Sequence, residues 1–530
     1  MNLSVIPNRT KGQAVVVGSG IAGLATAVRL AHEGFGVTVV EQHAAPGGKI
    51  RTVPSQVGPI DAGPTVLTMR PVFEELFKSI GERLEHHLTL IRQKILARHW
   101  WPDGSTLDLF DDYETSQQAI YEFAGLTGFR EFQKFSQKTR RLFETFDKPM
   151  MQSAKPSQWD MAKLVAKQPS LIRDIAPTHS MASKLSRHFS DPRLAQLFGR
   201  YATYVGGSPY ASPALLSLIW QAESSGVWCV QGGMHVLVQK LMKLAMEREA
   251  EFLFNTKVRK ILLENGGVTG VLLENGEQRK ADFVVFNGDP RALATGEMGD
   301  AFKKVAAESV RDERSLSARV WSFAAKAEGP DLIHHNVFFA SDPKSEFDDI
   351  KAGRMPTQPT IYVCAQDRGL NAEYPKQERF EIILNAPPIS NAIHIEEEFE
   401  TCRTLTTKTL ESFGLKFEPT PSIQSLTTPK DFEAMFPASE GSLYGQSPHG
   451  LKAAFRRPSS RTEIPGLYLT GGGTHPGAGI PMATLSARHA VEAILKDQTS
   501  TSPFLPTATL GGMSMASMPP PTGQSRSSDS

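Results

Sequence analysis

The sequence holds 530 residues, with 57 Lys and Arg against 56 Asp and Glu and a formal charge of +1. That balance excludes a nucleic-acid binder held by a basic excess, and 40 % hydrophobic residues exclude disorder over most of the chain. The length suits roughly two to four domains with a sizeable core.

Met1 to Gln13 carries no apolar core of the secretory type, so no signal is expected there. Gln13 to Val17 is a short apolar run, followed by Gly18-Ser19-Gly20-Ile21-Ala22-Gly23, and then by Leu24, Ala27, Val28 and Ala31 at helical spacing. Gly34 and Gly36 stop that helix, and Val37 to Val40 is a second β-branched run ending at Glu41. The pattern predicts a βαβ unit. Residues from about Asp111 to Gln221 read as mostly helical. Within them Lys155 to Arg187 holds six basic residues, opposed by Asp160 and Asp174, with Met161, Leu164 and Val165 on one face after Trp159. That segment reads equally as an amphipathic stretch on an anionic membrane or as an ordinary basic surface helix.

Lys257 to Asn287 changes texture. Asn-Gly pairs at Asn265-Gly266 and Asn275-Gly276 break three β-rich runs, Val258 to Leu263, Val268 to Leu273 and Phe283 to Phe286. This predicts a three-stranded meander. Runs at Arg319 to Ala325, Thr360 to Cys364 and Phe380 to Leu384 predict a second sheet. Leu467 to Thr470 reads as a strand, Ala483 to Leu495 as a closing helix, and Gln498 to Ser530, rich in Ser, Thr, Pro and Met, as a disordered tail. The uncharged stretch Ile464 to Ala487 contains Pro465, Pro476, Pro481 and Gly471 to Gly473, too many breakers for a membrane helix. Cys229, Cys364 and Cys402 are far apart with no C-x-x-C pair, which fits a reducing cytosol and predicts neither disulfides nor a cysteine-built zinc site.

Three motifs carry chemistry. Gly18, Gly20 and Gly23 are spaced for a tight turn, close approach of a diphosphate and close helix packing, and the helix beginning at Ile21 and Ala22 offers free N–H groups to an anion. Glu41 stands 18 positions beyond Gly23, placed to accept hydrogen bonds from ribose hydroxyls. Pro46-Gly47-Gly48-Lys49 and Asp61-Ala62-Gly63-Pro64-Thr65 follow, an extension that favours FAD over NAD. The third motif is Gly471-Gly472-Gly473-Thr474-His475-Pro476-Gly477-Ala478-Gly479-Ile480-Pro481-Met482, whose glycines imply a ligand near the backbone and whose following helix presents its N-terminus to it.

Together these motifs resemble the carotenoid desaturase branch of the FAD-dependent amine-oxidoreductase superfamily, over Gly12 to Leu495. Gly473 to Pro481 and Gly232-Gly233-Met234 resemble the bacterial phytoene-desaturase type. Leu218 to Glu223, Gly226 to Trp228 and Met482 in the last loop are similar to the hydroxyneurosporene (methoxyneurosporene) desaturases, carotenoid 3,4-desaturases of phototrophic purple bacteria. The resemblance implies an α/β fold in which a Rossmann-like FAD-binding domain is assembled from discontinuous segments, 12–110, 226–292 and 441–497. It also implies a helical membrane-facing part over 111–225 and an α+β substrate sheet over 293–440, with the tail at 498–530. The cofactor implied is FAD, held by Gly18, Gly20, Ile21, Ala22, Gly23, Glu41, Gln42, Gly47, Gly48, Lys49, Pro64, Thr65, Val258, Gly472, Gly473, Gly479, Ile480, Pro481 and Met482.

The activity implied is desaturation at C3–C4 of an acyclic 1-hydroxy- or 1-methoxy-carotenoid, with oxygen or a quinone as electron acceptor. It places the protein in the cytoplasm, peripherally on the inner photosynthetic membrane. A phytoene desaturase is the nearest alternative, and a non-redox prenyl-lipid and protein binder of the GDP-dissociation-inhibitor type a remote one. No acid–base residue stands out. His475 could accept a proton, although its Pro-flanked position suits a shaping role. Glu223 reads as solvated or helix-paired ahead of tunnel-lining, Trp220, Trp228 and Met234 as core. His334 and His335 read as exposed histidines at a strand start, without a companion at metal-ligand spacing, and no metal is expected.

Overall fold

A computed structural model describes residues 11–370, 373–389 and 395–501. Strand β1 (Gln13–Val17), helix α1 (Ile21–His32) and strand β2 (Gly36–Val40) form the βαβ unit that the sequence predicts. β1 and β2 pair in parallel from Gln13↔Gly36 to Val17↔Val40. Gly36 therefore begins the strand rather than ending the helix.

The chain then leaves this sheet. Strands β3 (Ile95–Trp100) and β4 (Thr106–Phe110) pair with each other, and β3 lies at the far side of a second sheet. Residues 95–110, expected with the first segment, thus pair within the second sheet and not with the parallel one. Helix α2 (Tyr113–Phe146) opens on Asp112, whose carboxylate accepts the Thr115 N–H at 2.7 Å, and is kinked where Gly125 takes φ 67°. Helix α3 (Gln158–Lys167) buries none of its residues.

Helix α4 (His235–Met246) and strand β5 (Glu251–Leu253) return the chain to the parallel sheet beside β2. β6 (Val258–Glu264), β7 (Gly267–Leu273) and β8 (Gln278–Lys280) make the antiparallel meander. β9 (Phe283–Phe286) is not its third strand, contrary to expectation: it pairs in parallel with β1. All four residues of β9 are buried, as befits a strand covered on both faces, whereas Gln278–Lys280 has the polar composition of an edge.

The second sheet is then built by β10 (Ser317–Glu328), β11 (His335–Phe338), β12 (Ile361–Ala365) and β13 (Glu378–Ala386), in the order β10-β13-β12-β11-β3-β4. Strand β14 (Leu467–Leu469) completes the parallel sheet, order β14-β9-β1-β2-β5, and helix α5 (Ile480–Thr501) packs on α1. The helix runs past the predicted end at Leu495, into the span read as a disordered tail, and 502–530 lies outside the described residues. Among the described residues no helix is long and apolar enough to cross a membrane.

Period-two alternation divides the second sheet into two faces. Trp321, Phe323, Ile361, Val363, Phe380, Ile382 and Leu384 join one hydrophobic cluster, with Cys402 and Leu410 from the helix over Ile395–Ser412. The alternate residues Ala318, Val320, Tyr362, Glu381, Ile383 and Asn385 face a cavity on the other side.

Candidate active site

At the end of β1 the turn is closed around Gly23. A Cβ on that residue would stand 2.1 Å from the Gly18 carbonyl oxygen and 2.7 Å from Asn287 Nδ2, so the helix can lie this close only with glycine there. Glu41, buried at the end of β2, accepts the Ser19 N–H and hydroxyl through Oε2, both at 2.7 Å, and the His43 N–H through Oε1 at 2.9 Å. A carboxylate has about four acceptor sites, so one remains for a ligand.

The second glycine pair folds onto the first. Gly47 N–H donates to Ser19 O at 2.9 Å, Gly20 and Gly47 form a parallel bridge, and Gly48 (φ 57°) faces Gly20 with no side chain between them. The C-terminal loop joins through Asn287, which follows β9. Its Nδ2 donates to Gly18 O at 3.0 Å, and its Oδ1 lies where a Cβ on Gly471 would meet it at 2.9 Å. Sequence reading misses Asn287; its position at the carboxyl end of a parallel strand, beside the glycine turn, is the signal that could have found it.

A cavity of about 570 Å³ runs along these loops and continues over the second sheet. Gly18, Gly20, Ile21, Ala22, Glu41, Gln42, Gly47, Gly48, Lys49, Pro64, Thr65, Val258, Gly472, Gly473, Gly479, Ile480 and Pro481 all line it, so seventeen of the nineteen expected residues are brought together. Gly23 stands behind the turn, and Met482 is not in the wall. His475 is not in the wall either: its Nε2 donates to Ser153 O at 2.9 Å and its ring stacks on His489, which leaves it a shaping role.

Lys49 donates from Nζ to Leu443 O at 2.6 Å, and burial pushes its ammonium down to about 8. Across the cavity Glu381 is fully buried and neither carboxyl oxygen accepts an aligned hydrogen bond. Burial, and then the charge of Asp61, hold its pKa well above the ordinary carboxylate range. Its carboxyl therefore keeps its proton to a higher pH than an ordinary carboxylate at this point of the cavity wall. Thr65 Oγ1 and Tyr362 Oη are 2.8 Å apart, and Tyr362 Oη reaches His335 Nδ1 at 2.7 Å.

Three expectations are corrected here. Glu223 is neither solvated nor paired along its helix: it is 2 % exposed and accepts the hydroxyls of Tyr201 and Tyr204, each at 2.6 Å. His334 and His335 are buried rather than exposed, because β11 lies inside the sheet. They also have a companion in space, Cys229, with one donor atom from each within 4.8 Å of the others. Trp220 and Met234 are core, as expected, and Trp228 packs against it.

Residues 21–321 match the family described as flavin containing amine oxidoreductase. The chain is 51 % identical over 488 residues to hydroxyneurosporene desaturase of Cereibacter sphaeroides, covering 92 % of this chain and 98 % of that protein. It is 49 % identical to hydroxyneurosporene desaturase of Rhodobacter capsulatus, covering 93 % and 99 %. A 1-hydroxycarotenoid 3,4-desaturase of a Flavobacterium species is 30 % identical over 91 % of this chain and 99 % of that protein. Among solved structures, an oxidoreductase from Methanosarcina mazei superposes with a TM-score of 0.60 at 15 % identity, over 91 % of this chain and all of that one, a likeness of fold.

Proposed function

We infer the activity from one premise: this chain belongs to the flavin-containing amine oxidoreductase family, and its relatives at 49 % and 51 % identity are hydroxyneurosporene desaturases. It is an FAD-dependent carotenoid desaturase. Its reaction is introduction of the C3–C4 double bond into an acyclic carotenoid oxygenated at C1. The observation that carries this reading is the continuity of one cavity from the glycine loops to the face of the second sheet that carries Val320 and Ile383. One compartment thus suits a dinucleotide at one end and a long hydrocarbon at the other.

The residues present fit FAD. The first turn has no room for a Cβ at Gly23, Glu41 keeps an acceptor site for a ribose hydroxyl, and the N-termini of α1 and α5 both border the cavity. When bound, FAD supplies the hydride acceptor that desaturation requires. The chain's own work is binding, orientation and proton disposal. Val320, Ile383, Val337 and Leu443 present apolar walls to the polyene and exclude water. Lys49 and Glu381, displaced in opposite directions from their usual ranges, are the titratable groups we assign to holding a proton there.

We also place the helical part on a membrane surface. Trp159 is 78 % exposed on α3 and Ile172 is exposed nearby, beside Lys155, Lys163, Lys167 and Arg173. Apolar side chains in water next to cations suit an anionic lipid interface from which the substrate would enter.

The test is an anaerobic half-reaction of FAD-loaded protein with liposomes carrying 1-hydroxyneurosporene or phytoene, with products identified chromatographically. One new terminal double bond on the hydroxylated carotenoid alone supports the assignment. Conversion of phytoene instead transfers the protein to the earlier step.

A further inference from the structure

One part of the cavity wall is not explained by either a dinucleotide or a hydrocarbon. Arg200 and Tyr204 line it, with the Arg200 guanidinium carbon 5.1 Å from the Tyr204 ring centre and 5.5 Å from that of Tyr201. Arg200 Nε and Nη2 are buried and meet no aligned acceptor. Behind them Glu223 accepts hydrogen bonds from the hydroxyls of Tyr201 and Tyr204. A tyrosine hydroxyl that donates one hydrogen bond can still accept another on its oxygen.

A buried donor without an acceptor is expensive and rarely retained without a partner. The neighbourhood narrows the partner's chemistry. Arg200 and Glu223 carry opposite charges in one cluster, so the group as a whole favours a neutral oxygen over an anion. Val337 and Ile383, in the wall of the same cavity, suit a hydrocarbon carrying that oxygen.

We propose that Arg200 and Tyr204 form the binding site for the C1 oxygen of the substrate, Arg200 donating to it and Tyr204 Oη accepting from it when it is a hydroxyl. The inference rests on the desaturase reading above and adds to it the residues that set substrate choice. A C1 oxygen lies only two carbons from C3, so the pair that holds it also fixes which bond borders the flavin end of the cavity. A tertiary alcohol satisfies both residues. A methyl ether satisfies Arg200 alone, and an unoxygenated carotenoid leaves the buried Arg200 donors without an acceptor. The expected order of preference is alcohol, ether, hydrocarbon.

The test uses the full-length, FAD-loaded protein and the variants Arg200→Met and Tyr204→Phe, each offered the 1-hydroxy, 1-methoxy and unoxygenated forms of one acyclic carotenoid in liposomes. Two quantities are read: kcat/KM, and the anaerobic dissociation constant from quenching of tryptophan fluorescence. Arg200→Met is expected to shrink the alcohol-to-hydrocarbon ratio of kcat/KM by about 10- to 100-fold, the range for hydrogen bonds to charged groups. Tyr204→Phe is expected to shrink the alcohol-to-ether ratio and to leave more of the ether-to-hydrocarbon ratio in place. Ratios within about threefold of the unaltered protein in both variants overturn the assignment. If Arg200→Met does not load FAD, the Tyr204→Phe ratio decides alone. Unaltered protein that converts the alcohol while both variants keep its selectivity refutes only this site. Unaltered protein that binds FAD and converts no oxygenated carotenoid refutes the desaturase reading, and this site with it.

Discussion

Replacing Gly23 by Ala tests the geometry of the cofactor turn most directly. The added Cβ would stand 2.1 Å from Gly18 O, and side-chain carbons essentially never come within 3.0 Å of such an atom. The turn and α1 must therefore separate by roughly 0.9 Å, the difference between those two distances. Overpacking of this kind costs about 1–3 kcal/mol, and the better helix propensity of Ala returns about 1 kcal/mol. The apoprotein should thus lose little, melting only a few degrees lower. FAD should suffer more, because the displaced turn carries the N–H groups aimed at the diphosphate. Losing one or two charge-assisted hydrogen bonds, at about 1.5–3 kcal/mol each, weakens binding by at least about tenfold. Flavin fluorescence titration measures that affinity, and differential scanning fluorimetry the melting temperature. A Gly23→Ala variant that binds FAD within about threefold of the original would refute the assignment of this turn to the diphosphate.

Other outcomes follow from the same wall. Glu381 has a native pKa above its unfolded value, so native protein binds the proton more tightly and stability falls as pH rises from the ordinary carboxylate range towards the native one. Glu381→Gln should therefore melt higher than the parent at pH 8 by more than it does at pH 5; an equal difference at both would contradict a native value raised by burial. Lys49 runs the other way: with a native value about 8 against 10.5, its contribution to apoprotein stability rises between those pH values and is absent from Lys49→Met. Thermal melts of the FAD-free pair from pH 7 to 10.5 would check this, and parallel curves would count against it. Trp159→Ser should reduce sedimentation with anionic vesicles several-fold while leaving turnover of detergent-dispersed carotenoid unchanged, and unaltered sedimentation would move the membrane face elsewhere.

The parts of the fold legible in the sequence are those whose signal is local. The βαβ unit can be read because Val15 to Val17, the glycine turn and Val37 to Val40 are contiguous, and each also agrees with its neighbours in space. Sequence alone misplaces β9 because Asn-Gly pairs report the hairpins beside them and say nothing about Phe283–Phe286, whose partners are Ala14–Val17 at the other end of the domain. The glycine loops are legible as a cofactor site because close backbone approach requires a residue type. The opposite wall is not. Glu381 and Arg200 matter because of which side of a strand or turn faces the cavity, and that depends on pairings such as Glu381 beside Ser322 and Cys364. Glu223 misleads for the same reason: its tyrosine partners lie about twenty residues earlier, joined to it only by the fold. The histidines of β11 read as exposed because strand ends usually are, whereas β3 and β12 flank this one on both sides.

The parallel sheet has a consequence for the order of events in the cell. Its central strand is made near the start of synthesis, yet its neighbour β9 arrives only at residues 283–286 and the edge strand β14 only at 467–469. The nascent β1 and β2 must wait, with their apolar faces uncovered, while the ribosome makes both the helical part and the second sheet. The glycine loop over Gly471 to Gly479 is the last stretch of the cavity wall to be made, so the cavity closes only when sequence-distant pieces come together. Contacts of such long separation form slowly, so the parallel sheet and the cavity beside it are the slow part of this chain to assemble.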